Sequence, residues 1–180
     1  MRHHPLFFPS VSIMNNTRNH KILCWNIRGI NSQAKWDAIR DKINESNCNI
    51  VCLQETKKET FDRSNIRKFC TRNLDTFSYS PSTRASGGIL TVWNSQLYHC
   101  DTIQLNSYAL TLIVTSLLDQ NYFHLTNVCG PAHSGSKLAF VTSLINLDST
   151  DLEDWILIGD FNLYRSPKNR NKPRGNSIEM

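Results

Sequence analysis

Lys21-Ile22-Leu23-Cys24-Trp25-Asn26-Ile27 and Ile50-Val51-Cys52-Leu53-Gln54-Glu55 bracket the stretch that decides the fold. Each is a short run of large or β-branched apolar residues, the composition of a buried strand. Between them, Arg28-Gly29-Ile30-Asn31-Ser32 reads as a loop ending in a helix cap, because a Ser hydroxyl accepts from the free N–H groups of a first turn. Trp36, Ile39 and Ile43 then recur at i, i+3 and i+7, one apolar stripe of a helix over 34–46. Strand, helix and strand within roughly 35 residues make a βαβ unit.

Outward from that unit the pattern turns to short strands. Residues 61–70 read as a short helix, and 74–80 and 88–93 as strands around Ser86-Gly87-Gly88. Residues 97–105, 109–118 and 122–128 read as three more, spaced closely enough for antiparallel hairpins. Leu138, Val141, Leu144 and Ile145 mark a second amphipathic helix over 135–147, and Trp155-Ile156-Leu157-Ile158-Gly159-Asp160 a further buried strand. The fold class is α/β in the broad sense, an α+β layered arrangement with helices covering sheet faces. Residues 1–20, rich in Asn, His and Pro and without periodicity, read as a disordered leader, 21–164 as the folded domain and 165–180 as a basic flexible tail.

Composition narrows the class. A 180-residue chain that is 39% hydrophobic and 19% charged is too apolar for a disordered polymer and suits one globular domain. No apolar run reaches the ~18–20 residues of a membrane-spanning helix, so no membrane role is expected. The net charge of +5 is unevenly placed: residues 1–164 carry +1 and the last sixteen +4. A basic total is therefore weak evidence of a polyanion partner. Lys57, Lys58, Arg63, Arg67, Lys68 and Arg72 form a second basic stretch, readable as phosphate contacts or as a solvated helix face. The six cysteines form no C-x-x-C pair and the histidines no ligand spacing, which points to buried, reduced thiols. With no signal-peptide core at the N-terminus, an intracellular location, nuclear or cytoplasmic, is expected.

Three strands end in polar groups: Asn26, Gln54-Glu55, and Asp160 with Asn162 close behind. Sheets of this type bind ligands at the rim formed by the carboxyl ends of their strands. An Asn, a Glu and an Asp/Asn pair gathered there form an oxygen-rich set suited to Mg²⁺ or Mn²⁺ and to stabilising charge on a phosphoryl group. Taken singly, Glu55 reads as solvated, Asn26 as a turn former and Asp160 as a cap.

Five motifs stand in order: Trp25-Asn26-Ile27-Arg28-Gly29, Leu53-Gln54-Glu55-Thr56-Lys57, Ser86-Gly87-Gly88, Asn127-Val128-Cys129-Gly130-Pro131 and Gly159-Asp160-Phe161-Asn162. Together they resemble the endonuclease/exonuclease/phosphatase superfamily, and most closely the endonuclease domain of plant-type non-LTR retrotransposons. The resemblance implies a deoxyribonuclease I-like β-sandwich flanked by helices. It also implies a metal-dependent phosphodiesterase, here a DNA endonuclease domain of retrotransposon origin, using Mg²⁺ (or Mn²⁺) and no organic cofactor. In that family the residues matching Glu55 and Asn26 line the metal site. The one matching Asp160 serves as general base toward water, and the one matching Asn162 holds the scissile phosphate. Lys57, Arg84, Cys129 and His133 stand in loops that the resemblance turns toward phosphate or DNA.

The sequence also departs from the family. Cys129 replaces a Tyr, and a thiol is a shorter and poorer donor than a phenol. Ala132 and His133 stand where some members carry an Asn, and Arg28 where some carry an acid. Members continue past the Asp-x-Asn strand to a closing Ser-Asp-His that this sequence lacks, so the domain reads as C-terminally truncated, with activity impaired. The alternative reading is a catalytically inactive relative serving as a nucleic-acid or protein interaction module.

Overall fold

A computed structural model describes residues 11–15, 18–83, 86–132, 134–146 and 154–163. Nine strands form two sheets. The first joins β1 (Val11–Asn15), β2 (Arg18–Asn26), β3 (Ile50–Gln54), β5 (Ile89–Trp93) and β4 (Thr76–Ser80), in that spatial order. The second runs β6 (Tyr98–Leu105), β7 (Ala109–Ser116), β8 (Tyr122–Cys129), β9 (Trp155–Asp160). Helices α1 (Gln33–Ser46) and α2 (Arg63–Ile66) lie against the first sheet, and α3 (Lys137–Ile145) links β8 to β9.

The expected βαβ unit is β2–α1–β3. Ser32 caps α1 by accepting from the Lys35 N–H, and Asn47 ends it in the left-handed conformation with its N–H on the Ile43 carbonyl. The two strands are parallel and level, Ile22 beside Ile50 and Asn26 beside Gln54. β8 and β9 repeat the device in the other sheet, with Cys129 beside Asp160.

Strand parity explains the layering. Leu23, Val51, Leu53, Leu90 and Val92 face outward to Ile39 and Ile43 of α1 and to Ile66 and Phe69. Their neighbours Ile22, Cys24, Ile50, Cys52, Ile89 and Trp93 face inward, against Leu110, Leu112, Val114, Phe123 and Leu125 of the second sheet. β3 is consequently buried on both faces. Each such aliphatic side chain contributes about 1.5–3 kcal/mol by leaving water.

Three sequence expectations change. The second half of the supposed leader carries β1 and the start of β2, paired from Val11↔Ile22 to Asn15↔Arg18. That hairpin is held by backbone ladder bonds, which demand no apolar alternation and so leave little trace in composition. The helix expected over 61–70 shortens to the single turn of α2, capped by Asp62, and the rest is turn. The stretch expected over 135–147 opens as a 3-10 turn at Ser134–Ser136 before α3. Residues 1–10 and the basic stretch 165–180 lie outside the described residues.

All six cysteines are free, and only Cys100 is less than fully buried. Burial pushes the Cys24 thiol up to about 11, the Asp160 charge adding to it and a bond with Gln54 opposing, and burial likewise pushes Cys129 to about 11. An unfolded thiol titrates near 9. Between these values the unfolded chain sheds protons that the native state retains, so stability is complete below pH 9 and declines toward pH 11. Each thiol accounts for on the order of 2–3 kcal/mol of that decline. The urea midpoint should therefore fall across this window, and less steeply in a Cys24→Ala variant; equal slopes would remove Cys24 from the account. Among the described residues no helix is long and apolar enough to cross a membrane.

Candidate active site

Because β2 and β3 are level and parallel, and β9 is parallel to β8, the carboxyl ends of β2, β3 and β9 reach one rim. Asn26 ends β2, Glu55 follows β3 and Asp160 ends β9. Asn26 Nδ2 donates to Glu55 Oε1 at 2.8 Å and to Asp160 Oδ2 at 2.6 Å. One amide thereby ties carboxylates from two sheets. Its oxygen faces the other way, accepting from the Arg28 N–H at 3.2 Å. Asp160 Oδ1 accepts from the Asn162 N–H at 3.0 Å, and Asn162 Nδ2 donates to the Gly130 carbonyl at 2.8 Å. The four residues singled out in the sequence thus share one hydrogen-bonded cluster.

The loops around it are unusual in backbone. Arg28, Glu55, Lys57 and Asn162 all take left-handed φ values between 49° and 53°. A non-glycine residue there costs about 1–2 kcal/mol, and such strain gathers at functional sites. Neighbouring backbone holds it in place: Gly29 N–H donates to the Glu55 carbonyl, Thr56 N–H to that of Gly88 and Lys57 N–H to that of Gly87. Gly159 meets a harder constraint. Its φ is 143°, and a Cβ there would lie 2.0 Å from the Val128 carbonyl oxygen.

Beneath the rim is a buried polar bridge that motif reading passed over. Gln54 Nε2 donates to Asn127 Oδ1 at 2.6 Å, and Asn127 Nδ2 donates to the Leu90 carbonyl and Thr91 Oγ1. Both side chains are essentially inaccessible, so each bond is costly to lose. The signal was parity: Gln54 continues the inward series Ile50, Cys52, and a polar residue in that series must find a partner in the facing sheet.

Cys129 faces this cluster. Burial is the main reason its thiol is pushed up to about 11; a bond with the Glu55 backbone opposes the shift, and the Glu55 and Asp160 charges reinforce it. Glu55, Lys57, Gly87, Gly88, Tyr108 and Cys129 help line a cavity of about 460 Å³ beside the carboxylates. Arg84 and His133, the other two expected contacts, lie outside the described residues.

The donor set also bears on a cation. Among the described residues no three His, Cys, Asp or Glu side chains cluster as a metal cage, which disfavours a closed tetrahedral Cys/His centre. Two carboxylates tied through one amide suit instead a hard cation that keeps most of its water, as Mg²⁺ does.

The model of the Endonuclease/Exonuclease/phosphatase family matches residues 23–178. No curated protein matches the sequence. Among solved structures, the AP endonuclease LMAP from Leishmania major superposes with a TM-score of 0.61 at 17% identity, over 96% of this chain and 64% of that one. The endonuclease domain of TRAS1, a telomere-specific non-LTR retrotransposon, gives 0.57 at 9% identity, over 80% and 61%. The human Nocturnin catalytic domain gives 0.54 at 15%, over 79% and 64%. The chain therefore spans about two thirds of the length of these structures or slightly less. They share its fold, the deoxyribonuclease I-like pair of sheets that the five motifs implied. With the match running from β2 past β9, the chain belongs to the Endonuclease/Exonuclease/phosphatase family.

Proposed function

We propose that this chain is a metal-dependent phosphodiesterase, and more narrowly a DNA endonuclease domain of retrotransposon origin. The observation that carries the reading is the single Asn26 amide bound to both Glu55 and Asp160. Such an arrangement fixes two carboxylates at one spacing before substrate arrives, which is how a protein pre-organises charge for phosphoryl transfer. The motif around Asn26 and the likeness to the TRAS1 domain support the retrotransposon assignment. DNA as substrate places its work in the nucleus or cytoplasm.

Glu55 would hold Mg²⁺ or Mn²⁺, with Asn26 positioning it, and a cation held there would supply charge neutralisation to the phosphoryl and leaving oxygens. Asp160 acts as the general base. Each of its oxygens already accepts one N–H, which locks the carboxylate plane and leaves lone pairs for the proton of an attacking water. Asn162, anchored on Gly130, steadies the phosphate, and Lys57 at the cavity wall attracts it. Cys129 offers a short, protonated S–H donor where the family places a phenol.

Purified protein incubated with supercoiled plasmid and Mg²⁺ should convert it to open circles, and EDTA should stop the conversion. A chain that binds the plasmid but leaves it intact with either Mg²⁺ or Mn²⁺ would support the second reading, an inactive interaction module, which the substitution at Cys129 favours.

A further inference from the structure

The basic stretch between residues 57 and 72 is sorted by the fold into separate destinations. Lys57 joins the candidate site. Lys58 lies over the Phe61 ring and Lys68 over the Trp36 ring, 5.8 and 4.9 Å from their centroids, so both are occupied by cation–π contact. Arg63, Arg67 and Arg72 remain, and all three line one open cleft of about 500 Å³. Its floor is apolar, built of buried Ile66, Cys70 and Leu74. Among the described residues none of the three arginines has a carboxylate within ion-pair distance. Asp75, the acid on the rim, is turned to Ser95, whose N–H and Oγ donate to its two oxygens.

The cleft is distinct from the candidate active site. Asp75 N–H donates to the Trp93 carbonyl, and Trp93 pairs with Ile50 at the start of β3. Asn26, Gln54 and Glu55 stand at the other end of that strand. Four residues of strand separate the two by about 13 Å along the sheet.

We propose that Arg63, Arg67 and Arg72 form a second phosphate-binding site that grips the nucleic-acid backbone away from the point of cleavage. The inference rests on the nucleic-acid reading above, though not on cleavage. Guanidinium forks match phosphate oxygens in pairs, and a backbone diester has only two free oxygens, so three forks on one cleft suit successive phosphates better than one. A backbone with successive phosphates uses all three, and the contact carries no base specificity.

The test is fluorescence anisotropy of a labelled oligonucleotide duplex with the full chain in EDTA, from 50 to 200 mM salt. Because no metal is present, the result does not depend on whether the protein cuts. An Arg63→Ala/Arg67→Ala/Arg72→Ala variant should bind at least about tenfold more weakly at 100 mM salt. Its log–log salt slope should be shallower by about 2.7, since each of the three lost phosphate contacts removes about 0.9. The corresponding triple Lys variant should retain most of the slope, which separates lost charge from lost folding. Unchanged affinity and slope in the Ala variant would overturn the proposal, as would a wild-type chain that binds inorganic triphosphate or a polyglutamate peptide in preference to the duplex.

Discussion

Asp160→Asn should lower the rate of plasmid nicking by about 10²–10⁴-fold at every Mg²⁺ concentration, the usual consequence of removing a general base. Glu55→Gln should lower it comparably at low Mg²⁺ but recover part of the loss as Mg²⁺ is raised, because it weakens cation binding rather than proton transfer. The two carboxylates share one amide, so the contrast between them separates their roles in a way that their geometry does not. Initial rates of open-circle formation across a Mg²⁺ titration measure both. Wild-type rates in either variant would falsify the role given to that residue. The near-ultraviolet circular dichroism of both variants should match the parent, since each substitution keeps the shape of the side chain.

Gly159→Ala should be severely damaging for the addition of a single methyl. The added carbon would enter within 2.0 Å of the Val128 carbonyl oxygen, a backbone atom with no rotamer by which to yield, and φ at this position is 143°. β9 would have to part from β8 or shift along it, and Asp160 is the next residue. A loss of about 3 kcal/mol or more is expected in urea unfolding, along with loss of nicking. Gly87→Ala is the control. Its φ of 70° is also left-handed, but a Cβ there meets nothing within 4 Å, so only the conformational cost of about 1–2 kcal/mol applies. If the two substitutions cost the same, steric contact with β8 is not what demands glycine at 159.

Much of this architecture was legible because burial writes itself into short sequences. Val51, Cys52 and Leu53 announce a strand covered on both faces, and Trp36, Ile39 and Ile43 announce the helix that covers one of them. The candidate site was legible for a related reason: Asn26, Glu55 and Asp160 each interrupt an apolar run where it ends, so the strands that carry them also fix where they arrive. What escaped was held by bonds without a hydrophobic signature. β1 is placed by its ladder to β2, and Gln54 with Asn127 by a bridge whose partners lie 73 residues apart. The separation of Lys57 from Arg63, Arg67 and Arg72 was equally hidden, since adjacency in sequence says nothing of which ring or cleft a long side chain adopts.

The Asn26 amide reaches one acid carried by its own sheet and one carried by the opposite sheet. It therefore works as a caliper across the sandwich: its two prongs close only when the gap between the layers has the correct width. Swelling of the interior around Leu112 and Leu125, which pair with each other well below the rim, would open one prong without touching any polar residue of the site. Packing deep in this protein and chemical competence at its surface are consequently one mechanical variable, and selection on either acts on both.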